Sequence, residues 1–329
     1  MISQLNSRAK DLLEFHRAQL LDALGVKVHS LANGAELFDF GRTTHSGAGD
    51  LLAKVCMADL ADVSYLEEAA VKLNGELIGP DDWKTWVDVE TGHPLVSCMA
   101  AQYAGWPLSV GDYFAMCSGP ARSARGKEKV LEEFKLTCSA ENVVAVLESG
   151  SLPDEAVAEA IAAECNVSVD RVQICVAPTS SLAGTIQIVA RSVETAIHKL
   201  HELNFDLSCI QKGRGRAPCP PIVASNDLVA LGWTNDAVLY GAIVELTVDC
   251  EDDVLKEIGP RVPSCSSSDF GAPFIETFER FDRDFYKIDK MLFSPARIVF
   301  KNSRSNNSFS FGELRFDVLN ESWKVPGDS

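Results

Sequence analysis

Arg191 and Glu194 stand three residues apart in the run ARSVETA, and a three-residue spacing on a helix brings two side chains onto one face. A carboxylate so placed can take a proton from water and later return it to a departing atom. A guanidinium beside it can orient the carboxylate and favour its ionised form in a partly buried setting. The bland alternative is an exposed ion pair contributing a few tenths of a kcal/mol. The pair belongs to Ala177–Phe205, APTSSLAGTIQIVARSVETAIHKLHELNF, which reads as one helix. Pro178 blocks an earlier start, and Thr179, Ser180 and Ser181 are good N-cap types. From Leu182 to Ala190 nearly every face is apolar, with only Thr185 and Gln187 interrupting it. A helix apolar all round lies inside a protein. The charged pair therefore marks the point where a buried helix emerges, as at the wall of a cleft.

The same helix carries His198 and His201, so Glu194, His198 and His201 form an i, i+4, i+7 stripe able to bind a metal. With Lys199 and Glu202 alongside, the stripe is also the ordinary polar face of an amphipathic helix. Two further segments concentrate positive charge. SGPARSARGK supplies Arg122, Arg125 and Lys127, and QKGRGRAPCPP supplies Lys212, Arg214 and Arg216. Read as glycine-containing loops, they suit an anionic ligand, because glycine lets backbone N–H groups approach and arginine adds bidentate donors. Ser46–Asp50, SGAGD, could open a helix onto a phosphate, but it lacks the third glycine of a dinucleotide fingerprint. The chain has no GxSxG, HExxH or P-loop pattern. Asn226-Asp227 and Asn235-Asp236 have the composition of turns. The second pair lies at the start of Thr234–Val248, which reads as a long, largely apolar strand, where Asn235 or Asp236 could face a ligand. Pro263–Ala296, dense in aromatics, serines and prolines, reads as a structured connection around a core helix.

These residues need a scaffold, and the composition provides for one. The chain has 329 residues with 46% hydrophobic residues, enough for two domains with their own cores. Mean hydropathy is near zero, and no run of 18 apolar residues occurs, which excludes a spanning helix. The amino-terminal pattern is an amphipathic helix and not a secretory signal. A net charge of −17 argues against a nucleic-acid partner, since phosphate backbones demand a basic surface. Ten scattered cysteines without CxxC spacing indicate neither a disulfide framework nor a zinc site. Reduced, mostly buried thiols in a cytoplasmic protein are the simplest account.

Along the chain, strands and helices alternate in a mixed α/β order, which implies layered packing. Helices are predicted over Leu5–Leu24, Asp50–Ala61, Asp154–Cys165 and Arg315–Trp323. Strands are predicted over Val26–Leu31, Glu36–Phe40, Trp83–Val89, Tyr113–Cys117, Asn142–Leu147 and Arg171–Val176, with a terminal hairpin of Arg297–Phe300 and Asn307–Phe311. The composition breaks at Ser118–Gly126 and Lys212–Pro221 divide the chain. We read residues 1–125 as an N-terminal α/β domain and 126–294 as a second α/β domain carrying the catalytic helix. The C-terminal strands and helix of 295–329 are able to join the first.

Several stretches together resemble one family, the methenyltetrahydromethanopterin cyclohydrolases. They are LANGAELFDFG, SGPAR, APTSS…ARSVETA, PPIVASNDLVALGWTNDAVLYGA and DFGAPFIETF…DFYKID…LFSPA, in family order across nearly the whole chain. The resemblance implies a two-domain layered α/β subunit, a homotrimer, and a substrate pocket between the domains. It places the family's catalytic glutamate and arginine on Glu194 and Arg191. The implied substrate is a pterin whose one-carbon bridge is a cationic amidinium, so the chemistry calls for no metal and no cofactor beyond the substrate. Arg122, Arg125, Arg214 and Arg216 are then expected to meet the carboxylate- or phosphate-bearing tail. Ser180, Ser181, Asn235 and Asp236 complete the expected substrate-binding set. Two departures are visible: Ala58-Asp59 in CMADLADV replaces a glycine-rich turn, and His45 sits in RTTHSG. The alternatives are a metal-assisted amidohydrolase using Glu194, His198 and His201, and a non-catalytic pterin-binding paralogue.

Overall fold

The computed structural model describes residues 1–67, 71–73, 76–78, 84–223 and 226–324. It divides into two compact units. Unit 1 comprises Met1–Val63 and Leu95–Ile188, and unit 2 comprises Ser64–Pro94 and Val189–Ser329. The chain passes from one to the other at 63/64, 94/95 and 188/189. The mixed α/β expectation holds in both, each being built on a mixed six-stranded sheet. Strands and helices are numbered below in chain order.

Unit 1 contains β1 (Lys27–Ser30), β2 (Glu36–Asp39), β7 (Trp106–Val110), β8 (Tyr113–Ser118), β9 (Val143–Glu148) and β10 (Val172–Ala177), in the spatial order β1-β2-β10-β9-β8-β7. Strands β2, β10 and β9 run parallel, and the others are antiparallel additions. Strands β9 and β10 are continuous apolar runs because both faces are covered. One face packs on α6 (Glu155–Cys165), through Val157, Ile161 and Cys165. The other packs on α1 (Leu5–Phe15), α2 (Arg17–Asp22) and α3 (Ser46–Cys56). Helix α6 begins where Asp154 accepts a hydrogen bond from Val157 N at 3.1 Å and ends at Asn166, which is left-handed. Two short helices follow β8, α4 (Ala121–Arg125) and α5 (Lys129–Glu133), and α7 (Leu182–Val189) follows β10. The expected helix over 5–24 is broken at His16, where ψ turns to 6°. Ala58 and Asp59 both hold left-handed backbone, at φ 56° and 53°. The turn thus keeps a shape that glycine favours, and Arg8 steadies it by donating to Ala58 O at 3.2 Å and Asp59 O at 2.7 Å.

Unit 2 contains β3 (Asp62–Glu67), β6 (Thr85–Thr91), β11 (Ile210–Pro218), β12 (Ile243–Val248), β13 (Arg297–Asn302) and β14 (Ser308–Gly312), in the order β14-β13-β12-β11-β6-β3. A separate pair joins β4 (Val71–Leu73) to β5 (Glu76–Ile78). The terminal hairpin forms as expected, with Phe300 opposite Phe309. The start of the strand expected over 83–89, Trp83, lies outside the described residues, as do 325–329 of the C-terminal segment. The helices are α8 (Ser192–Glu202), α9 (Asp227–Gly241), α10 (Asp252–Ile258), α11 (Phe274–Arg280) and α12 (Phe316–Ser322).

Three sequence expectations are corrected in this region. Residues 177–205 are not one helix: Ala177 ends β10, and α7 and α8 are separated at Ala190–Arg191, just beyond the 188/189 crossing. The run from Thr234 is not a strand until Ile243. Asn226 caps α9 by accepting from Val229 N, and the helix runs through Gly241. An apolar run buried on all sides has no period that separates helix from strand. Finally, Lys212–Pro218 is not a loop but most of β11, with Gly213 and Gly215 buried and Lys212 and Arg214 exposed in strict alternation.

That alternation brings α8 unusually close to the sheet. A Cβ at Gly213 would stand 2.6 Å from Val193 Cγ1, and one at Gly215 would fall inside contact distance of Ser192 Oγ. Arg216 lies directly across from Asp88 and pairs with it through two nitrogens, and Arg214 reaches the same carboxylate at 3.4 Å. Elsewhere in the unit, Asp236 of α9 is fully buried and ties three helices together. It accepts from Phe274 N at the start of α11 (2.8 Å) and from Ser322 Oγ in α12 (2.6 Å). Loss of solvation raises its carboxyl from 3.8 to about 7, against the opposing effect of those two donors.

Two outcomes follow from this packing. Gly215→Ala should lower stability by about 1–3 kcal/mol, the usual effect of overpacking, measured by denaturant unfolding. Ser192 Oγ is buried and has no hydrogen-bond partner among the described residues, so adding Ser192→Ala should recover part of the loss. Arg214→Ala, on the opposite face, should change stability little. For Asp236, the folded state holds its proton more tightly than the unfolded chain, so this group's contribution to stability declines as pH rises from about 4 to about 7. Asp236→Asn matches the protonated carboxyl in shape and can donate to Ser322 Oγ. Its melting temperature should exceed that of the wild type at pH 8, with the gap closing below pH 5.

Candidate active site

Glu194 occupies the third position of α8, and Arg191 is the N-cap of the same helix, with φ −80° and ψ 6°. The non-helical ψ at Arg191 is what ends the continuation from α7. Both side chains are buried, Arg191 at 8% and Glu194 at 4% exposure, which excludes the exposed ion pair. Burial of a charge is expensive unless it is compensated. At Glu194 two sources of compensation are close: the guanidinium three residues away, and the first turn of α8, whose unsatisfied N–H groups favour negative charge by about 0.3–1 kcal/mol. The glycine face of β11 fixes that turn, because Ser192 and Val193, between the two charged residues, are the ones that touch it.

Further along α8, the two histidines do not assemble a metal site. Among the described residues, no group of three His, Cys, Asp or Glu side chains is placed to hold a metal ion. Burial lowers the affinity of His198 for a proton, against the pull of Glu202, and Glu202 is ion-paired with Lys290. Lys199, expected on a polar face, is completely buried. Its Nζ donates to Ser266 Oγ at 3.0 Å and to Met291 O, holding two distant parts of the 263–296 connection to the back of α8. Desolvation lowers its ammonium to about 8, with Asp289 opposing. No spacing in the sequence could reveal this, since the partners are 67 and 92 residues away.

The remaining candidates have their own surroundings. Ser181 Oγ accepts from Gly184 N at 3.0 Å and donates to Pro178 O at 2.8 Å, so it caps α7. Ser180 is buried beside it. Arg122 lies in α4, not in a loop, and is fully buried. It pairs with Glu128 through two nitrogens and donates to Met99 O and Ala101 O, near the carboxyl end of the π-helical stretch Leu95–Gln102. The ring of Tyr103 lies 5.0 Å from its guanidinium carbon. Arg125 and Lys127 both meet Glu164. Asn235 Nδ2 donates to Leu231 O, one turn back in α9, and Asp236 is the helix tie described above. Arg214 and Arg216 face away from α8 and share Asp88. Within unit 2 Arg191 and Glu194 therefore share the first turn of α8, both buried, while the β11 arginines are turned elsewhere. Ser180, Ser181 and Arg122 belong to unit 1.

One polar pair in unit 1 was passed over in the sequence. Gln187, only 1% exposed on the apolar helix α7, donates to Glu148 Oε1 at 3.2 Å. Its only sequence signal is an amide interrupting an otherwise apolar helix.

The family model described as "Cyclohydrolase (MCH)" matches residues 4–323. A methenyltetrahydromethanopterin cyclohydrolase of Rhodopirellula baltica is 45% identical over 296 residues, covering 88% of this chain and 86% of the relative. Proteins of the same name from Methanosarcina mazei and Methanocaldococcus jannaschii are 43% and 38% identical, each over 92% of both chains. With a match that spans both units and includes the buried Arg191 and Glu194, the chain belongs to the methenyltetrahydromethanopterin cyclohydrolase family.

Proposed function

We propose that this chain hydrolyses methenyltetrahydromethanopterin reversibly to its formyl derivative, with Glu194 as general base and Arg191 as its orienting partner. One observation carries the assignment of roles: a carboxylate and a guanidinium, both buried, share the first turn of α8 in a member of this family. The substrate carbon bridges two nitrogens as a cationic amidinium and is electrophilic without further activation. Water adds to it as the carboxylate takes a proton, giving a neutral carbinol between the two nitrogens. The carboxylic acid then protonates one ring nitrogen. The bond from carbon to that nitrogen breaks, the hydroxyl collapses to a carbonyl as its proton leaves, and the formyl group remains on the other nitrogen. Water supplies the added oxygen, and the net proton released matches the lost cationic charge. A negative group beside the cationic substrate also stabilises it electrostatically.

The same reading carries a homotrimer in the cytoplasm, supported by the family resemblance. Sedimentation equilibrium at micromolar concentration should give about three times the mass of one chain, and a monomer mass would refute that part.

Glu194→Gln preserves shape while removing the base and its charge. Turnover should fall by at least the ~10²–10⁴-fold associated with a general base, with the loss mainly in kcat. Arg191→Ala should also lower kcat. Absorbance of the methenyl chromophore follows both. A Glu194→Gln protein with wild-type turnover would remove the mechanism.

A further inference from the structure

The alternation that turns Gly213 and Gly215 toward α8 sends every second side chain to the opposite face of the unit-2 sheet. The register carries that face across five strands. Asp88 and Glu90 of β6 lie opposite Arg216 and Arg214 of β11. Lys212, Arg214 and Arg216 in turn lie opposite Thr247, Glu245 and Ile243 of β12. Beyond these stand Lys301, Val299 and Arg297 of β13, then Ser308, Ser310 and Gly312 of β14. An apolar cluster of Trp86, Ile243 and Val299, with Leu314 and Phe316 against it, occupies part of the face. The rest is open: Glu90, Lys212, Arg214, Lys301, Ser308 and Ser310 are all exposed.

The charge of this face runs against that of the chain. Five cations, Lys212, Arg214, Arg216, Arg297 and Lys301, share it with three anions, Asp88, Glu90 and Glu245, whereas the whole chain has 30 basic residues against 47 acidic ones. Two of the three anions are already engaged. Asp88 serves both Arg214 and Arg216, and Glu245 pairs with Lys301 at 2.7 Å. Lys212 and Arg297 have no carboxylate partner among the described residues, and Arg297 Nε is buried without an acceptor. Beside the β13–β14 turn the face holds a hollow of about 350 Å³ lined only by polar residues, among them Lys301, Thr247, Ser308 and Asn306. The side chains of the last three make no hydrogen bond among the described residues.

We propose that this face is the contact surface between copies of the chain, and that it receives an acidic surface of the neighbouring copy with one carboxylate seated in the hollow. This rests on the trimeric reading above. Charge decides the mode of contact. Two copies meeting face to face would set one cation excess against another, which opposes association. A head-to-tail contact sets the cationic face against a different, acidic patch, and such contacts close into rings. A trimer is a ring of that kind. A carboxylate accepts from ammonium, hydroxyl and amide groups alike, which are the donors the hollow leaves open. The lysine and arginine stems supply apolar area beneath their charged heads. A second copy brings the required acidic surface without any further component.

The test follows self-association of the full chain by sedimentation equilibrium over a dilution series. Lys212→Glu/Ser310→Glu alters two exposed side chains that have no partner among the described residues of their own copy. The control, Lys27→Glu/Ser139→Glu, makes the same change of charge at exposed positions of unit 1. The first double variant should lower the association constant at least ~10²-fold, with its circular dichroism unchanged, and the control should assemble as the wild type does. In parallel, a carbodiimide, which joins an amine to a carboxylate it touches, is applied to mixed unlabelled and isotope-labelled wild-type chains. Amide links from Lys212 or Lys301 to an aspartate or glutamate of the other isotope should appear. Equal weakening by both double variants, an assembly untouched by Lys212→Glu/Ser310→Glu, or links confined to other lysines would overturn the inference and leave the face to another partner. A wild type of monomer mass refutes the trimer itself, whereas an assembled wild type with an equally assembled face variant refutes only the surface.

Discussion

The contact between α8 and the glycines of β11 is the constraint on which the candidate active site depends. Helices ordinarily lie on a sheet with side chains of both between them. Here Gly213 and Gly215 supply none, and Ser192 and Val193 fill the space where their Cβ atoms would be. The first turn of α8 is therefore fixed against backbone, which has fewer ways to yield than side chains do. Arg191 and Glu194 bracket that turn, so their positions follow from the packing of the residues between them. The back of the helix is held as well, by Lys199 reaching Ser266 and Met291. A helix gripped from beneath and behind presents its functional groups with little rotational freedom, as precise positioning requires.

The same strand shows how basic residues clustered in the sequence are committed to carboxylates in the fold. QKGRGR has the composition of a phosphate-cradling loop, yet its alternation is that of a strand with one glycine face and one arginine face. The acid that matches Arg216 is Asp88, 128 residues away in sequence but opposite in register. SGPAR is similar: Arg122 enters a buried network with Glu128 and two carbonyls beside the π-helical stretch. In a chain with 47 acidic and 30 basic residues, most arginines find a carboxylate within their own unit.

Much of the framework was legible, for identifiable reasons. Strands β9 and β10, helix α6 with its Asp154 cap, and the β13–β14 hairpin all have strong local signals: continuous apolar runs, a capping side chain, and short spacing between strands. The Arg191/Glu194 pair was legible as a spacing, but the sequence placed it where a buried helix emerges, and its burial was not legible. Helix α9 was not legible, because residues 234–241 are buried all round and carry no helical period. The division of 177–205 into α7 and α8 was hidden as well. The break is set by where the chain leaves one unit for the other, a tertiary event with no local marker. Ala58 and Asp59 show the converse. The residues departed from the expected glycines, yet the left-handed turn persisted, because Arg8 holds both carbonyls from 50 residues away.

A carboxylate that serves as a base has to satisfy two demands that oppose each other. Removal from water strengthens its interaction with a cationic substrate, but the same removal disfavours the charge that makes it a base. A helix start resolves the conflict better than a strand or a helix centre would, because its N–H groups supply fixed positive ends without adding a mobile counter-ion. A guanidinium at the cap adds a charge that is never lost at working pH. The break between α7 and α8 is then more than a joint between units. It creates a helix start in the interior of the chain, next to an arginine, where one continuous helix would have offered Glu194 no free N–H groups at all. The glycine strand, the break and the charged pair are thus parts of one arrangement, and each would lose its purpose without the others.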